Sequence, residues 1–228
     1  MGKNKKYKLL KDDYMLREYL GNPVTLYRVK ALKDFGDVKE GDVGGYIESK
    51  RNLSYEDGDN SWVYDNAMVY GLASVRNNST VRESAIVRGA TVFTNGSDAS
   101  GNSIVENAVF ISSIIDKCSE VKDFCEIYIS SIRDSSRVVG RVKIRNSIIS
   151  GHSKISQSLS YPTLYIDGNI ECLDEVITGN EYGTTYDVDD NYSNDKGKNG
   201  VSGTEAIVLI VFGFTMAVIL YILGVTIC

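Results

Sequence analysis

From Val63 the chain places an aliphatic residue at every sixth position: Val63, Val69, Val75, Val81 and Val87. Two residues before the last four of these stand Ala67, Ala73, Ser79 and Ala85. A step of six fits neither the 3.6-residue helix nor a simple alternating strand. Further on the pattern tightens to a period near 17 and sorts the apolar positions into three columns. The first reads Val63, Val81, Ala99, Ile115, Ile132, Ile149, Ile166. The second reads Val69, Val87, Val105, Val121, Val138, Ile155, Cys172, and the third Val75, Phe93, Phe110, Ile127, Ile144, Tyr161. These columns predict an all-β fold, a β-helix with three short strands per coil. Each strand sends one side chain inward, and small residues sit where the backbone turns. Coils stacked at about 4.8 Å give a prism roughly 30 Å tall for six to seven coils. Backbone hydrogen bonds then run between coils, so both ends need caps. A 17-residue coil is one short of three hexads, so one edge must be tighter. The competing antiparallel sandwich requires alternating strands with turn signals every 8 to 12 residues or so, which the lattice does not show.

The lattice divides the chain. Residues 61–178 form the repeat domain and residues 1–60 an N-terminal capping module, with a strand at Thr25–Ala31 and a turn rich in glycine at Gly41, Gly44 and Gly45. The GDVGG run lacks the GK[ST] ending and following helix of a phosphate loop. Residues 179–205 have almost no aliphatics and read as a flexible polar linker. Residues 206–228, AIVLIVFGFTMAVILYILGVTIC, carry no charge. As a helix from Ala206 to Cys228 they reach about 35 Å, enough to cross a bilayer. This predicts a single-pass C-terminal anchor with its partner the lipid bilayer. Phe212 and Tyr221 fall within it, and Gly213 and Ala217 form a small-xxx-small pair suited to close helix contact.

The N-terminus has a basic start but no apolar stretch, so no signal peptide is expected. Met-Gly is followed by Lys6 where myristoylation needs Ser or Thr. The folded part is therefore expected on the cytoplasmic side, in keeping with Lys196 and Lys198 just before the anchor. A formal net charge of −5 disfavours nucleic acid as a partner. The lysines at 3, 5, 6, 8 and 11 read as a solvated terminus. Cys118, Cys125, Cys172 and Cys228 form no CxxC pair, and a single histidine accompanies them, so no zinc site is expected. Cys125 and Cys172 fall at inward positions and read as reduced core residues.

The hexad lattice resembles the left-handed β-helix, or hexapeptide-repeat, superfamily. The stretch ALKDFGDVKEGDVGGYIES followed by VYDNAMVYGLASV resembles an uncharacterised group of phage and bacterial hexapeptide-repeat proteins. That resemblance implies the fold and a viral or mobile-element origin, and implies trimers among the homo-oligomers such prisms form. It supplies no activity. Related enzymes in the superfamily use three histidines on zinc, which one histidine cannot provide. Others are acyltransferases with a histidine base, for which His152 in ISGHSKI is the one candidate. In an unbroken hexad between Ile149 and Ile155 it is expected to point outward. The acidic groups Glu56, Asp57, Asp59 and Asp187, Asp189, Asp190 lack the spacing of a calcium loop. No metal or cofactor is expected. Arg76, Arg82 and Arg88 recur at six-residue steps and so scatter over three sides. Tyr64 and Tyr70 follow inward valines and read either as ordinary strand residues or as exposed contact residues.

Three functions remain open on these grounds. The leading one is a membrane-anchored, non-enzymatic structural or interaction protein with an unidentified protein partner, of the kind a phage membrane or virion component would be. The others are an acyltransferase built on His152 and a scaffold polymerising end to end.

Overall fold

The computed structural model of the chain describes residues 6–156, 164–166, 171–173, 176–178 and 185–186. They form an all-β parallel solenoid of about six turns. The expected membrane helix, 206–228, lies outside the described residues. Among the described residues no helix is long and apolar enough to cross a membrane.

Strands pair in parallel from coil to coil in the order the columns require. On the first face Val63 pairs with Val81, Val81 with Ala99, Ala99 with Ile115, Ile115 with Ile132 and Ile132 with Ile149. On the second, Val69, Val87, Val105, Val121, Val138 and Ile155 stack in turn. On the third, Val75, Phe93, Phe110, Ile127 and Ile144 do the same. All of these inward residues are 0% exposed, as is Ile166. Within the third column the Phe93 and Phe110 rings stack at 4.8 Å and 13°. Strands Ile104–Ile111 and Glu120–Tyr128 run on through the edge between the second and third faces, so these two faces form one sheet.

The last coil differs from the sequence expectation. Ile166 stands in the third column opposite Ile144, and Cys172 in the first opposite Ile149. In the second column Ile177, rather than Cys172, stands opposite Ile155. The cause is an insertion. Neighbouring columns are five or six residues apart in earlier coils, but Ile155 and Ile166 are 11 apart. Tyr161, expected in the third column, lies in that insertion and outside the described residues. Pairing continues to Thr185–Tyr186, opposite Tyr165–Ile166, within the segment read as linker.

Each edge turns through residues with a left-handed backbone. The first edge uses Asp65, Glu83, Gly101, Lys117, Asp134 and Gly151, the second includes Gly71, Gly89, Asn107 and Gly140, and the third Asn77, Asn95, Ser112, Ile129 and Asn146. Small side chains just after the turn let the chain enter the next strand. After the third edge that position is Ser61, Ser79, Ser97, Ser113, Ser130 and Ser147, all buried. Their hydroxyls form a ladder. Ser79 N–H donates to Ser61 Oγ at 3.1 Å, Ser97 N–H to Ser79 Oγ at 3.1 Å and Ser113 N–H to Ser97 Oγ at 3.2 Å. Ser130 N–H donates to Ser113 Oγ and Ser147 N–H to Ser130 Oγ, both at 3.2 Å. After the first edge the same position holds Ala67 and Ala85, then Ser103, Ser119 and Ser136. The hydroxyls of these three serines are buried with no hydrogen-bond partner.

The N-terminal module closes one end of the prism and wraps one side. Strands β1 (Tyr7–Tyr19) and β2 (Asn22–Ala31) form an antiparallel hairpin, and β2 pairs with β3 (Val43–Ile47). β3 joins the solenoid in parallel, Ile47 opposite Val69, and Leu53 bridges to Val75. The columns therefore begin at Ile47 and Leu53, before Val63. Gly44 and Gly45 allow this: a Cβ on Gly44 would lie 2.3 Å from Val63 O, and one on Gly45 2.5 Å from Ala67 O. The GDVGG run is thus a close backbone approach.

Over the open end lie Tyr7, Phe35, Val38 and Trp62. Trp62 meets Phe35 and Tyr7 edge-on at 5.3 and 6.2 Å. Lys6, read as part of a solvated terminus, is 1% exposed. Its ammonium donates to Ser61 O at 2.8 Å and Ser54 O at 3.2 Å and lies 4.6 Å from the Phe35 ring centre. Those carbonyls belong to the first coil, which has no coil beneath it to supply donors, so the lysine serves as the missing donor. The hairpin also covers the outer side of the second face, where Leu26 packs with Tyr46, Met68 and Tyr70 in a second apolar cluster.

Two predictions follow from these contacts. Ser113→Ala leaves the Ser130 N–H without its acceptor and is expected to lower stability by about 1–3 kcal/mol. Ser119→Ala, equally buried, removes only an unpaired hydroxyl and is expected to be neutral or stabilising. Chemical denaturation of both variants reads the difference in sign. Burial lowers the Lys6 ammonium from its ordinary 10.5 to about 8, against the opposing pull of Asp59. Between those values the unfolded chain holds a proton that the folded chain releases, so rising pH favours the folded state. Burial raises the Tyr7 phenol above its ordinary range, which acts in the opposite sense above about pH 10. The melting temperature of the natural protein relative to Lys6→Met is therefore expected to rise from pH 8 to pH 10 or so, and to stay level between pH 6 and 7.

Candidate interaction surface

The outward positions are mostly taken up by contacts between successive coils. Arg82 pairs with Asp98 at 2.9 Å, and its guanidinium lies 5.4 Å from the Tyr64 ring centre. Arg88 pairs with Glu106 at 2.9 Å, Arg137 with Glu120 at 2.7 Å and Lys143 with Glu126 at 2.8 Å. Lys117 pairs with Asp134 along the first edge. Exposed pairs of this kind contribute little each, about 0–1 kcal/mol. Repeated along three faces they hold side chains in place and remove charge from solution. Of the three arginines that sequence spacing scattered over the prism, Arg82 and Arg88 are thus cross-braces.

Tyr70 is 2% exposed and packs edge-on against Tyr19 of the hairpin at 5.5 Å. It is therefore not an exposed contact residue, because β1 and β2 lie over it. Arg88 also donates to the Tyr70 hydroxyl at 3.3 Å. Tyr64 is half-buried and donates its hydroxyl to Asp37 at 2.6 Å. Burial, then the Asp37 carboxylate, pushes the Tyr64 phenol well above its ordinary range. Both tyrosines tie the N-terminal module to the prism, a role that period-six spacing does not reveal.

His152 is exposed in the turn after Gly151 at the first edge. Asp59, part of an acidic cluster in sequence, is occupied by donors from two coils. It accepts from the Ser61 N–H at 2.8 Å, the Ser61 hydroxyl at 2.6 Å, and the Asn77 and Asn78 N–H groups at 2.8 and 2.9 Å. Burial alone would raise its pKa, but these bonds and one from Ser54 hold it well below the ordinary carboxylate range. Asp57 pairs with Lys33 at 2.8 Å. Among the described residues no group of three or more His, Cys, Asp or Glu side chains could hold a metal ion. Cys125 is buried after the second edge. Its thiol reaches Lys122 O and Gly140 O at 2.9 and 3.1 Å, and burial pushes it up to about 12. It remains a protonated thiol at neutral pH. The anchor residues Ala206, Phe212, Gly213, Ala217, Tyr221 and Cys228 lie outside the described residues.

One stretch of the outer surface departs from the braced, charged pattern. Along the third edge and the adjoining first face a shallow groove of about 330 Å³ is lined by residues including Ser112, Ile114, Ile129, Ser131, Asn146 and Ile148. No charged side chain lines it. Ile114 is 43% exposed and Ile129 67%. Ile129 has a φ of 47°, a left-handed conformation that a β-branched side chain rarely adopts. Other coils place Asn77, Asn95, Ser112 or Asn146 at this edge. The signal was present in sequence, where SSII at 112–115, ISSI at 129–132 and NSII at 146–149 stack with Ile129 opposite Ser112 and Asn146. Reading only the inward columns passes over it.

No known family model matches the chain, and no curated protein matches it.

An isoleucine in the left-handed region costs roughly 1–2 kcal/mol over a residue suited to it. Ile129→Asn is therefore expected to stabilise the isolated chain by about 1 kcal/mol, read as a raised melting temperature in dilute solution.

Proposed function

We propose that this chain is a membrane-anchored structural and interaction protein whose β-solenoid is a stiff display element rather than an enzyme. The observation that carries the reading is the contrast between the first end and the sides of the prism. Its first end is closed by Tyr7, Phe35, Trp62 and the buried Lys6, while its long faces are braced by pairs such as Arg88–Glu106 and Glu126–Lys143. A rod built this way offers its sides to a partner. End-to-end polymerisation would have to displace the lid, so the scaffold reading is the weaker one. The acyltransferase reading needs His152 inside a groove between subunits.

The finer placement belongs to the same proposal. The six-residue step with small edge residues fits a left-handed solenoid of the hexapeptide-repeat class, and the ALKDFGDV and GGYIES segments favour a phage-type relative. The uncharged segment 206–228 would serve as a single-pass anchor. It would hold the prism on the cytoplasmic face.

Membrane fractionation tests this reading. The full chain is expected in the membrane pellet after alkaline carbonate extraction. A variant ending at residue 205 is expected in the soluble fraction with an unchanged melting temperature. A truncated chain that still resists extraction, or one that aggregates, would sink the modular reading of the anchor.

A further inference from the structure

We infer that the second edge of the prism, together with the tip of the N-terminal hairpin, is a lipid contact that lays the solenoid along an anionic bilayer surface. This rests on the reading of 206–228 as a membrane anchor and names a second element of the chain that meets the same membrane. Three observations carry it. Large apolar residues project along this edge: Leu72 is 52% exposed, Leu20 78% and Phe124 55%. Leu72 follows Gly71, and Phe124 follows Asp123 three coils further on. Leu20 stands beside the same edge, because the adjoining Tyr19 ring packs against Gly71 and Gly89. Second, the backbone disfavours two of these residues. Leu20 has a φ of 52° in the two-residue hairpin turn with Gly21, where Asn fits better, and Phe124 has a φ of 68°. A contact outside the chain accounts for residues that the fold alone disfavours. Third, residues 1–30 carry eight Lys and Arg against three Asp and Glu, in a chain of net charge −5. On β1, Lys8, Lys11 and Arg17 are exposed. Met15 and Tyr19 pack toward the prism, so Tyr14 and Leu16 face away from it and are exposed. Leucine and tyrosine side chains flanked by cations suit the headgroup region of an anionic leaflet.

The shape of the contact selects a bilayer. Leu20 at a hairpin tip and Phe124 at a prism edge are convex points, which a fluid surface admits without a matching hollow. The chain also brings the bilayer within reach. From the coil of Phe93 to the last pairing, at Thr185–Tyr186, is five coils, or about 24 Å. Residues 187–205 precede the uncharged segment, and a chain of that length spans at most about 65 Å. A prism standing on its end would hold Leu20 away from lipid. Lying on its second edge, it brings Leu72, Leu20 and Phe124 to the surface together.

Photo-crosslinking of the full chain in vesicles tests the inference. A benzophenone amino acid replaces Leu20, Phe212 or Ile114 in turn, in phosphatidylcholine vesicles with or without phosphatidylserine. Ile114 is exposed on the first face, the side of the prism opposite the second edge. Lipid adducts are expected from positions 20 and 212 and not from 114. Without phosphatidylserine, or with Lys11→Glu and Arg17→Glu together, the yield at 20 is expected to fall about tenfold while that at 212 stays level. The charge variant is expected to melt in detergent at the temperature of the natural protein. Adducts at 212 without adducts at 20 would overturn the inference and leave the anchor standing, and adducts at neither would overturn both. Equal yields at 20 and 114, a yield at 20 that ignores lipid charge, or links from 20 to protein alone would also overturn it.

Discussion

The backbone of each coil finds its hydrogen-bond partners in the coils above and below, and the rest of the architecture follows from that dependence. Tyr64 N–H donates to Val81 O, Arg82 N–H to Ala99 O and Arg133 N–H to Ile149 O, each at 2.8 Å. A buried backbone group left unpaired costs free energy comparable to a lost hydrogen bond. The first coil therefore cannot end on open carbonyls over an apolar core. Lys6 meets that demand at Ser54 and Ser61, and the Tyr7 hydroxyl at Leu53 O, 2.7 Å away. Burying an ammonium is unfavourable in itself, which is why its pKa falls. It is tolerated because it supplies donors where the stack has none.

The same dependence explains how the edges are built. Inter-coil bonding must continue through each turn, so equivalent residues repeat one above another, and each edge solves the turn with its own chemistry. The third edge uses serine, whose hydroxyl accepts the N–H of the serine in the next coil and extends the ladder around the turn. The first edge uses acidic side chains in the turn. Asp65 accepts from the Glu83 N–H and Glu83 from the Gly101 N–H, both at 2.9 Å, and Asp134 from the Gly151 N–H at 3.1 Å. Three serines after that edge, Ser103, Ser119 and Ser136, have hydroxyls left without partners, since the acceptor role is already filled. Two serine columns of similar burial thus differ in what they contribute.

The interior was legible in the amino-acid sequence as far as Ile155, because one inward residue per strand leaves a strict step of five or six. Legibility stopped where the chain inserted residues. The 11-residue gap from Ile155 to Ile166 moved Ile166 and Cys172 one column from where a constant period puts them. Of the hairpin over the second face, only the strand at Thr25–Ala31 was legible; its partner strand and its docking were not. Leu26 meets Tyr70, and Tyr19 meets Arg88, across separations that no period marks. Tyr70 consequently looked like an outward residue when only its place in the hexad was considered. The groove was hidden for a different reason. Its defining residue, Ile129, departs from the pattern of its own edge, and a search for regularity discards departures.

That departure carries the argument from fold to function. In a repeat structure, each position is compared with the same position in the neighbouring coils, which are internal controls for what the fold requires. Asn77, Asn95 and Asn146 show that the third edge is satisfied by a polar residue suited to a left-handed backbone. The outward charges show the same economy, since Arg82, Arg88, Arg137 and Lys143 each meet an acid of a neighbouring coil. Ile129 is answered by neither rule, being apolar, exposed and in an unfavourable conformation, and it stands beside Ile114 and Ile148 on an uncharged strip. A solenoid can carry such a site without disturbing its core, because edge residues point away from the stacked columns. The inward positions of this coil, Val121, Ile127 and Ile132, keep the pattern of the rest. The surface is thus free to vary coil by coil, so a rod with a uniform interior can present a local contact at one height along its side.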